Sequence, residues 1–258
     1  MKTKLLLTAL AFCTMSSVWA VQGVIHAKGS ERKGEIRYRA RDKMYLVTVQ
    51  RRGGSPIEIE LAAADVTRLD IPKPKDLDRA AEMVAKGQGI AAINILKGIV
   101  SEYKKLVWDL PAGRYLVEAY LQANNAKEAM DVAQQIIRDD KRAAIQGDLA
   151  PAYWQALLKL GKVEQLETLL SAAAKSGDRR SSASAFILRG DIILAENGKD
   201  QASLRRALTE GYLRTSLMYL EDECKDIRAE AMNKAAMCFD ELGWAERAEN
   251  LRSQARML

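Results

Sequence analysis

Leu116 to Ile137 reads LVEAYLQANNAKEAMDVAQQII. Two amphipathic stretches with a helical period flank the pair Asn124-Asn125. Asparagine tolerates left-handed backbone, so the pair is a turn signal. Together the three parts predict two short helices folded back on each other. A large apolar residue, Tyr120, stands near the end of the first helix, and a small one, Ala129, follows nine positions later.

The same arrangement returns twice. Tyr153 to Ala174 reads YWQALLKLGKVEQLETLLSAAA, with Leu157, a turn at Gly161-Lys162, and Leu166 in the ninth position. Ala235 to Gln254 reads AAMCFDELGWAERAENLRSQ, with Phe239, Gly243 and Ala248. Two looser copies follow the pattern: Ala80, Met83, Gly87, Ala92 and Leu96 in a first unit, and Gly190, Ile193 and Ala202 in a fourth, whose breaker is Asn197-Gly198-Lys199. Equivalent positions are Ala80, Val117, Trp154, Gly190 and Ala236, in steps of 37, 37, 36 and 46 residues. The last step implies an insertion in the fourth unit, which the uninterrupted helical pattern from Gln201 to Asp222 has room to absorb.

This pattern resembles the tetratricopeptide repeat, whose standard length is about 34 residues. The resemblance covers residues 76–258 and implies a mainly α fold, a solenoid of about five helical hairpins. In that family the small residues let paired helices approach, and the large ones pack on the next repeat. The first helix of each hairpin then lines a concave groove, which places Arg114, Glu118, Gln122, Gln155, Lys159, Asp191, Asn233 and Met237 along it. The clamp that some members use for a partner's terminal carboxylates wants Lys and Asn where this chain has Arg114, Glu118, Pro151 and Gln155. A mixed groove of this kind suits an extended peptide or a partner helix.

Residues 21–71 have a different period. Val24 to Ala27 is a short apolar run before Lys28-Gly29-Ser30, and Ile36, Tyr38 and Ala40 then alternate with Arg37, Arg39 and Arg41. Met44 to Gln50 completes a hairpin across Asp42-Lys43, and Ile57, Ile59 and Leu61 alternate with Glu58 and Glu60. A short turn at Ala62 to Asp65 precedes a last strand, Val66 to Ile71. Five short strands predict a small antiparallel sheet or barrel, resembling the SH3-like or Sm-like type in strand order and in the turn before the last strand. Pro72 and Pro74 make residues 72–75 a stiff linker to the helices.

Residues 1–20 carry the marks of a cleavable export signal: Lys2 and Lys4, the apolar run Leu5 to Phe12, and Val18-Trp19-Ala20 at the cleavage site. Lipidation at Cys13 would want a small preceding residue, and Phe12 stands there. No second long apolar stretch follows, so the cleaved chain is expected to be non-transmembrane, periplasmic or associated with the outer envelope. Export permits a disulfide between Cys224 and Cys238, but both lie in helical patterns, which favours two free buried thiols.

The chemistry available is sparse. The net charge of +6 is spread among interspersed acids and bases, which is unlike a nucleic-acid footprint. His26 is the sole histidine, which excludes a remote Ser-His-Asp or Cys-His base unless His26 serves, and excludes histidine-rich metal sites. The carboxylate runs Asp139-Asp140 and Glu221-Asp222-Glu223 lack calcium-loop spacing, and Gly87-Gln88-Gly89 lacks the Lys-Ser/Thr of a phosphate loop. No cofactor is expected. Arg37, Arg39, Arg41, Arg51 and Arg52 form either a patch for an anionic partner or a solubilising face of the sheet. The expectation is a non-catalytic scaffold or adaptor that binds protein in the cell envelope. The alternative is a cell-wall or carbohydrate-binding accessory acting through the β region, for which Tyr38 and Tyr45 are the available rings.

Overall fold

The computed structural model describes residues 20–51 and 53–258. Residues 1–19 of the expected leader, and Arg52, lie outside that set. Contacts divide the chain between Pro72 and Lys73 into two compact units.

The first unit is one antiparallel sheet of β1 (Val21–Ala27), β2 (Ser30–Arg39), β3 (Met44–Val49), β4 (Ile57–Ala62) and β5 (Val66–Asp70), in the order β4-β3-β2-β1-β5. Lys28 and Gly29 have φ of 46° and 72°. Left-handed backbone at both positions suits the two-residue turn that pairs Ala27 with Ser30. Val21 faces Ile36, which faces Val47, and all three are buried on one side of the sheet with Ile25. A one-turn helix, Ala63–Asp65, leads into β5.

The second unit is a solenoid of five helical hairpins. The first three are α1 (Leu77–Ala85) with α2 (Gly89–Glu102), α3 (Asp109–Gln122) with α4 (Ala126–Asp139), and α5 (Leu149–Lys159) with α6 (Val163–Ala174). Then α7 (Arg179–Asn197) returns through α8 (Gln201–Arg206), a π-helical turn (Ala207–Tyr212) and α9 (Leu213–Met218). The last hairpin is α10 (Lys225–Glu241) with α11 (Ala245–Arg256). The first helices stack in sequence, α1 on α3, α3 on α5, α5 on α7 and α7 on α10.

Four of the hairpin turns share one hydrogen-bond pattern. Gly87, Asn124, Gly161 and Gly243 have φ of 75°, 56°, 67° and 78°. In each turn the next residue donates its N–H to the carbonyl five positions back: Gln88 to Met83, Asn125 to Tyr120, Lys162 to Leu157 and Trp244 to Phe239. This is the Schellman closure, which needs a left-handed residue and so explains the recurring Gly or Asn. The acceptors are the large residues that align the repeats. The repeat positions Ala80, Val117, Trp154 and Ala236 are fully buried, as are Ala129, Leu166 and Ala248.

The fourth hairpin departs from this. Gly198 takes φ 76° with extended ψ, and Asp200 caps α8 by accepting from the Ser203 N–H at 2.7 Å. The helix therefore starts in a different register: Ala202 is exposed, against expectation, and Ser203 and Leu204 are buried instead. The expected unbroken helix to Asp222 also ends at Met218 and contains the π turn, which takes up part of the inserted length. At that turn Gly211 lies against the backbone of Gly190 on α7, the close approach of two helices that small residues permit.

Two apolar cores result, and α7 serves both. Ala185, Leu188 and Ile192 join the core that runs through α1 to α6. Ala183, Ile187 and Ile193 join the core built with Leu204, Tyr212, α10 and α11. A helix buried on two sides has no polar face to segregate, as its sequence RRSSASAFILRGDIILAEN shows. By contrast α11 buries only Ala248 fully and turns a polar surface outward, as a terminal cap of a solenoid requires.

Candidate partner-binding site

Between hairpins four and five the α7, α8 and α10 surfaces enclose a cleft of about 220 Å³. Its walls are apolar: Leu194 from α7, Leu204 from α8, Tyr212 from the π turn, and Met237 and Cys238 from α10. Lys234, Met237, Cys238 and Glu241 follow the i, i+3, i+4, i+7 spacing, so one face of α10 lines the cleft.

Two ion pairs border it. Lys199, in the α7–α8 turn, meets Glu241 of α10 at 3.1 Å. On the other side Lys234 Nζ donates to both oxygens of Asp191 at 2.8 Å, and the Tyr212 hydroxyl donates to Asp191 Oδ1 at 2.8 Å. Burial, with Asp191 beside it, holds the Tyr212 phenol far above its ordinary range, so it remains a donor. Burial also pushes the Cys238 thiol up to about 11, which makes it a small apolar wall element rather than a nucleophile. Cys224 and Cys238 are both free and buried. The arrangement offers an apolar recess bordered by two ion pairs. Among the described residues no cluster of three His, Cys, Asp or Glu residues is placed to hold a metal.

The eight groove residues expected from the repeat do not act alike. Asp191 and Met237 line the cleft, with Met237 58% exposed. Gln155 lies in a smaller recess with Pro151, Trp154, Ser184 and Glu230, and Asn233 is exposed. Arg114 and Glu118 pair with each other at 2.8 Å. Gln122 is bound to the main chain, accepting from the Gly89 N–H at 2.9 Å and donating to the Val84 carbonyl at 2.7 Å, which ties α3 to the first hairpin. Lys159 donates to the Leu121 carbonyl at 3.3 Å. Tyr212, Lys234, Lys199 and Glu241 were not foreseen. The α10 spacing would have pointed to Lys234 and Glu241, whereas Tyr212 and Lys199 belong to the one hairpin that breaks the repeat.

In the sheet, Arg37 meets Glu58 at 2.9 Å, and Arg39 meets Glu60 at 3.0 Å and Asp42 at 2.7 Å. These bridges span β3, where Leu46 lies in register between Arg37 and Glu60 and is fully buried. Arg41 is 80% exposed and reaches Asp42 only at 3.8 Å, and Arg51 is exposed. His26 Nε2 lies 2.9 Å from Asp70 Oδ2, and Arg68 holds the other oxygen of that carboxylate at 2.6 Å. The Arg68 and His26 hydrogen bonds keep the Asp70 carboxyl below its usual range.

No family model matches the chain. No curated protein matches it either. Among solved structures it is similar to a putative kinesin light chain of Podosopora anserina with nearly identical TPR-like repeats, at 16% identity over 70% of this chain and 92% of that one, with a TM-score of 0.43. It is also similar to MamA MSR-1, at 16% identity over 70% and 92% of the two chains with a TM-score of 0.37. For MamA AMB-1 the identity is 14% over 71% and 96%, with a TM-score of 0.40. At such identity and overlap the fold rests on the stacked hairpins themselves. Among the described residues no helix is long and apolar enough to cross a membrane.

Proposed function

We propose that this chain is a non-catalytic adaptor of the cell envelope that holds an extended segment of a partner protein against its first-helix face. One apolar side chain of that segment enters the cleft between α7, α8 and α10. The observation that carries the reading is the cleft itself: apolar walls, ion pairs on two sides, and two lining residues, Asp191 and Met237, at positions the repeat assigns to ligand. A recess of this size accommodates a leucine-like or aromatic anchor, and such anchors carry most of the energy in peptide recognition. Export is supported by Lys2, Lys4, the apolar run to Phe12 and Val18-Trp19-Ala20. Glycan binding by the sheet draws less support: the Tyr38 and Tyr45 rings pack on each other at 5.1 Å and Tyr45 is buried, so Tyr45 offers no open platform. The paired Arg37 and Arg39 likewise favour the solubilising reading of that face.

The test is a random-peptide phage library panned on the intact chain. Enriched peptides are expected to share one large apolar residue, and to lose affinity at least about tenfold, ~1.4 kcal/mol, for Met237→Glu. Peptides indifferent to Met237→Glu, or no enrichment, would overturn the cleft assignment. Fractionation of the producing cell tests export: recovery in the cytoplasm with residues 1–20 intact contradicts it.

A further inference from the structure

The face of α10 that lines the cleft continues toward the helix N-terminus. Glu230, Lys234, Met237 and Glu241 follow one another at spacings of four, three and four residues, so they form one stripe. Glu230 lines a smaller recess, of about 50 Å³, between α5, α7 and α10. Pro151, Trp154 and Ile187 give that recess apolar walls, and Gln155, Ser184 and Glu230 bring polar groups to it. The Gln155 amide and the Ser184 hydroxyl have no hydrogen-bond partner among the described residues.

The charges at this recess do not balance. Those that act on Glu230 are Lys234, Asp191 and Asp226. Asp226 is gripped by Arg180 through two bonds, of 2.8 and 2.6 Å. Lys234 gives two N–H bonds of 2.8 Å to Asp191 and comes no nearer to Glu230 than 3.7 Å. Three acids thus face two bases, and Glu230 is the acid left over. Partial desolvation, with Asp191 and Asp226 nearby, holds its carboxyl above the usual range. Its side chain is still 55% exposed, so a ligand can reach it. At the other end of the stripe Lys199 answers Glu241, which leaves the excess at the recess.

A carboxylate, an amide oxygen and a hydroxyl oxygen at one small space call for a ligand made of donors and carrying positive charge. A lysine or arginine side chain has both, with an apolar stem to lie along Pro151. A divalent cation would want several carboxylate oxygens, and Glu230 is the one acid lining the recess. Met237 lies seven residues beyond Glu230 on α10, or about 10 Å at 1.5 Å per residue. An extended chain advances about 3.3 Å per residue, so side chains that reach both places stand roughly two to four residues apart.

We propose that the segment held in the cleft is basic as well as apolar: two to four residues from its apolar anchor it carries a lysine or arginine that pairs with Glu230 and donates to the Gln155 and Ser184 oxygens. This second contact depends on the apolar anchor proposed above and fixes the chemistry of the segment beside it.

The random-peptide phage library is panned in parallel on the intact chain and on its Glu230→Gln and Glu230→Lys versions, and enriched peptides are synthesised and titrated by fluorescence polarisation. Peptides from the parent are expected to carry Lys or Arg two to four residues from the large apolar residue. They should lose affinity roughly fivefold or more for Glu230→Gln, which keeps the side chain's shape. Glu230→Lys should select Asp or Glu at the same place, a reversal that packing alone does not produce. Peptides that need Met237 but show no basic preference, or that bind Glu230→Gln as well as the parent, overturn this contact and leave the cleft reading standing. No enrichment, or indifference to Met237→Glu, removes both. A dimer in sedimentation equilibrium that Glu230→Gln dissolves gives the groove to a second copy and likewise overturns the assignment to a separate partner.

Discussion

Replacing Gly211 by alanine puts a methyl group where α7 and the π turn nearly touch. A Cβ there lies 2.8 Å from both Cα and N of Gly190 and 2.9 Å from the Phe186 carbonyl oxygen. All three are main-chain atoms, so no rotamer change relieves the contact. Carbon contacts settle at about 3.5–4.0 Å, so the two segments must part by roughly 1 Å. Overpacking of this kind costs about 1–3 kcal/mol. Tyr212 is the next residue, and its 2.8 Å bond to Asp191 lengthens as the turn moves away. A hydrogen bond to a charged group contributes about 1.5–3 kcal/mol, part of which is forfeited, so the expected loss is at least about 2 kcal/mol. Gly98 is the internal control: it lies exposed inside α2 and nothing is within 4 Å of its Cβ position. Gly98→Ala should gain about 0.5–1 kcal/mol, the usual penalty of glycine in a helix. Urea unfolding of the two variants beside the parent measures both. A Gly211→Ala chain as stable as the parent would refute the close crossing of α7 and the π turn.

Other consequences concern the same network and the unit boundary. Lys234→Met leaves Asp191, 15% exposed, without its cation and should cost roughly 1–3 kcal/mol, less than for a fully buried pair because Lys234 is 28% exposed. Adding Asp191→Asn should restore part of this in a double-mutant cycle by chemical denaturation, and strict additivity would contradict the coupling. With Cys238 near 11 and Cys224 also raised by burial, both thiols are protonated at pH 8. Ellman's reagent should therefore react slowly with both in the native chain at pH 8 and quickly once denaturant is added, and rapid native labelling would count against the burial. A fragment starting at Lys73 keeps the Lys73–Asp78 pair and the stacking of Lys73 on Trp108. It should unfold cooperatively with a native near-UV spectrum, whereas a molten fragment contradicts separable units.

The hairpins were legible because their turns demand particular residues. Left-handed backbone at positions 87, 124, 161 and 243 shows up as Gly or Asn, and tight helix pairing shows up as Ala129 and Ala248. The strands were legible from alternation, although β1 and β2 extend further than the apolar runs suggested, to Val21 and Ser30, since polar residues also pair along the ladder. The fourth hairpin was not legible. Repeat spacing located an insertion but could not say that it becomes a π turn, or that Asp200 resets the register and leaves Ala202 exposed. The candidate site was half legible for the same reason. A repeat register selects positions on first helices, and of these Asp191 and Met237 line the cleft. It could not see that Gln122 and Lys159 turn to main-chain carbonyls, or that Lys234, 43 residues away, meets Asp191. Alternation placed Arg37 and Arg39 on one face, open to either reading, and strand order was needed to bring Glu58 and Glu60 to them.

Partner binding in the cleft between the fourth and fifth hairpins is decided by amide hydrogen exchange of the intact chain. The chain is compared free and saturated with a peptide enriched on it from the phage library. Slowed exchange confined to the α7 segment around Asp191 and Leu194, to the α8–Tyr212 segment, and to the Lys234–Glu241 stretch of α10 is the predicted result. Protection that falls instead on the strands between Val21 and Asp70, or that leaves α10 unchanged, would contradict it.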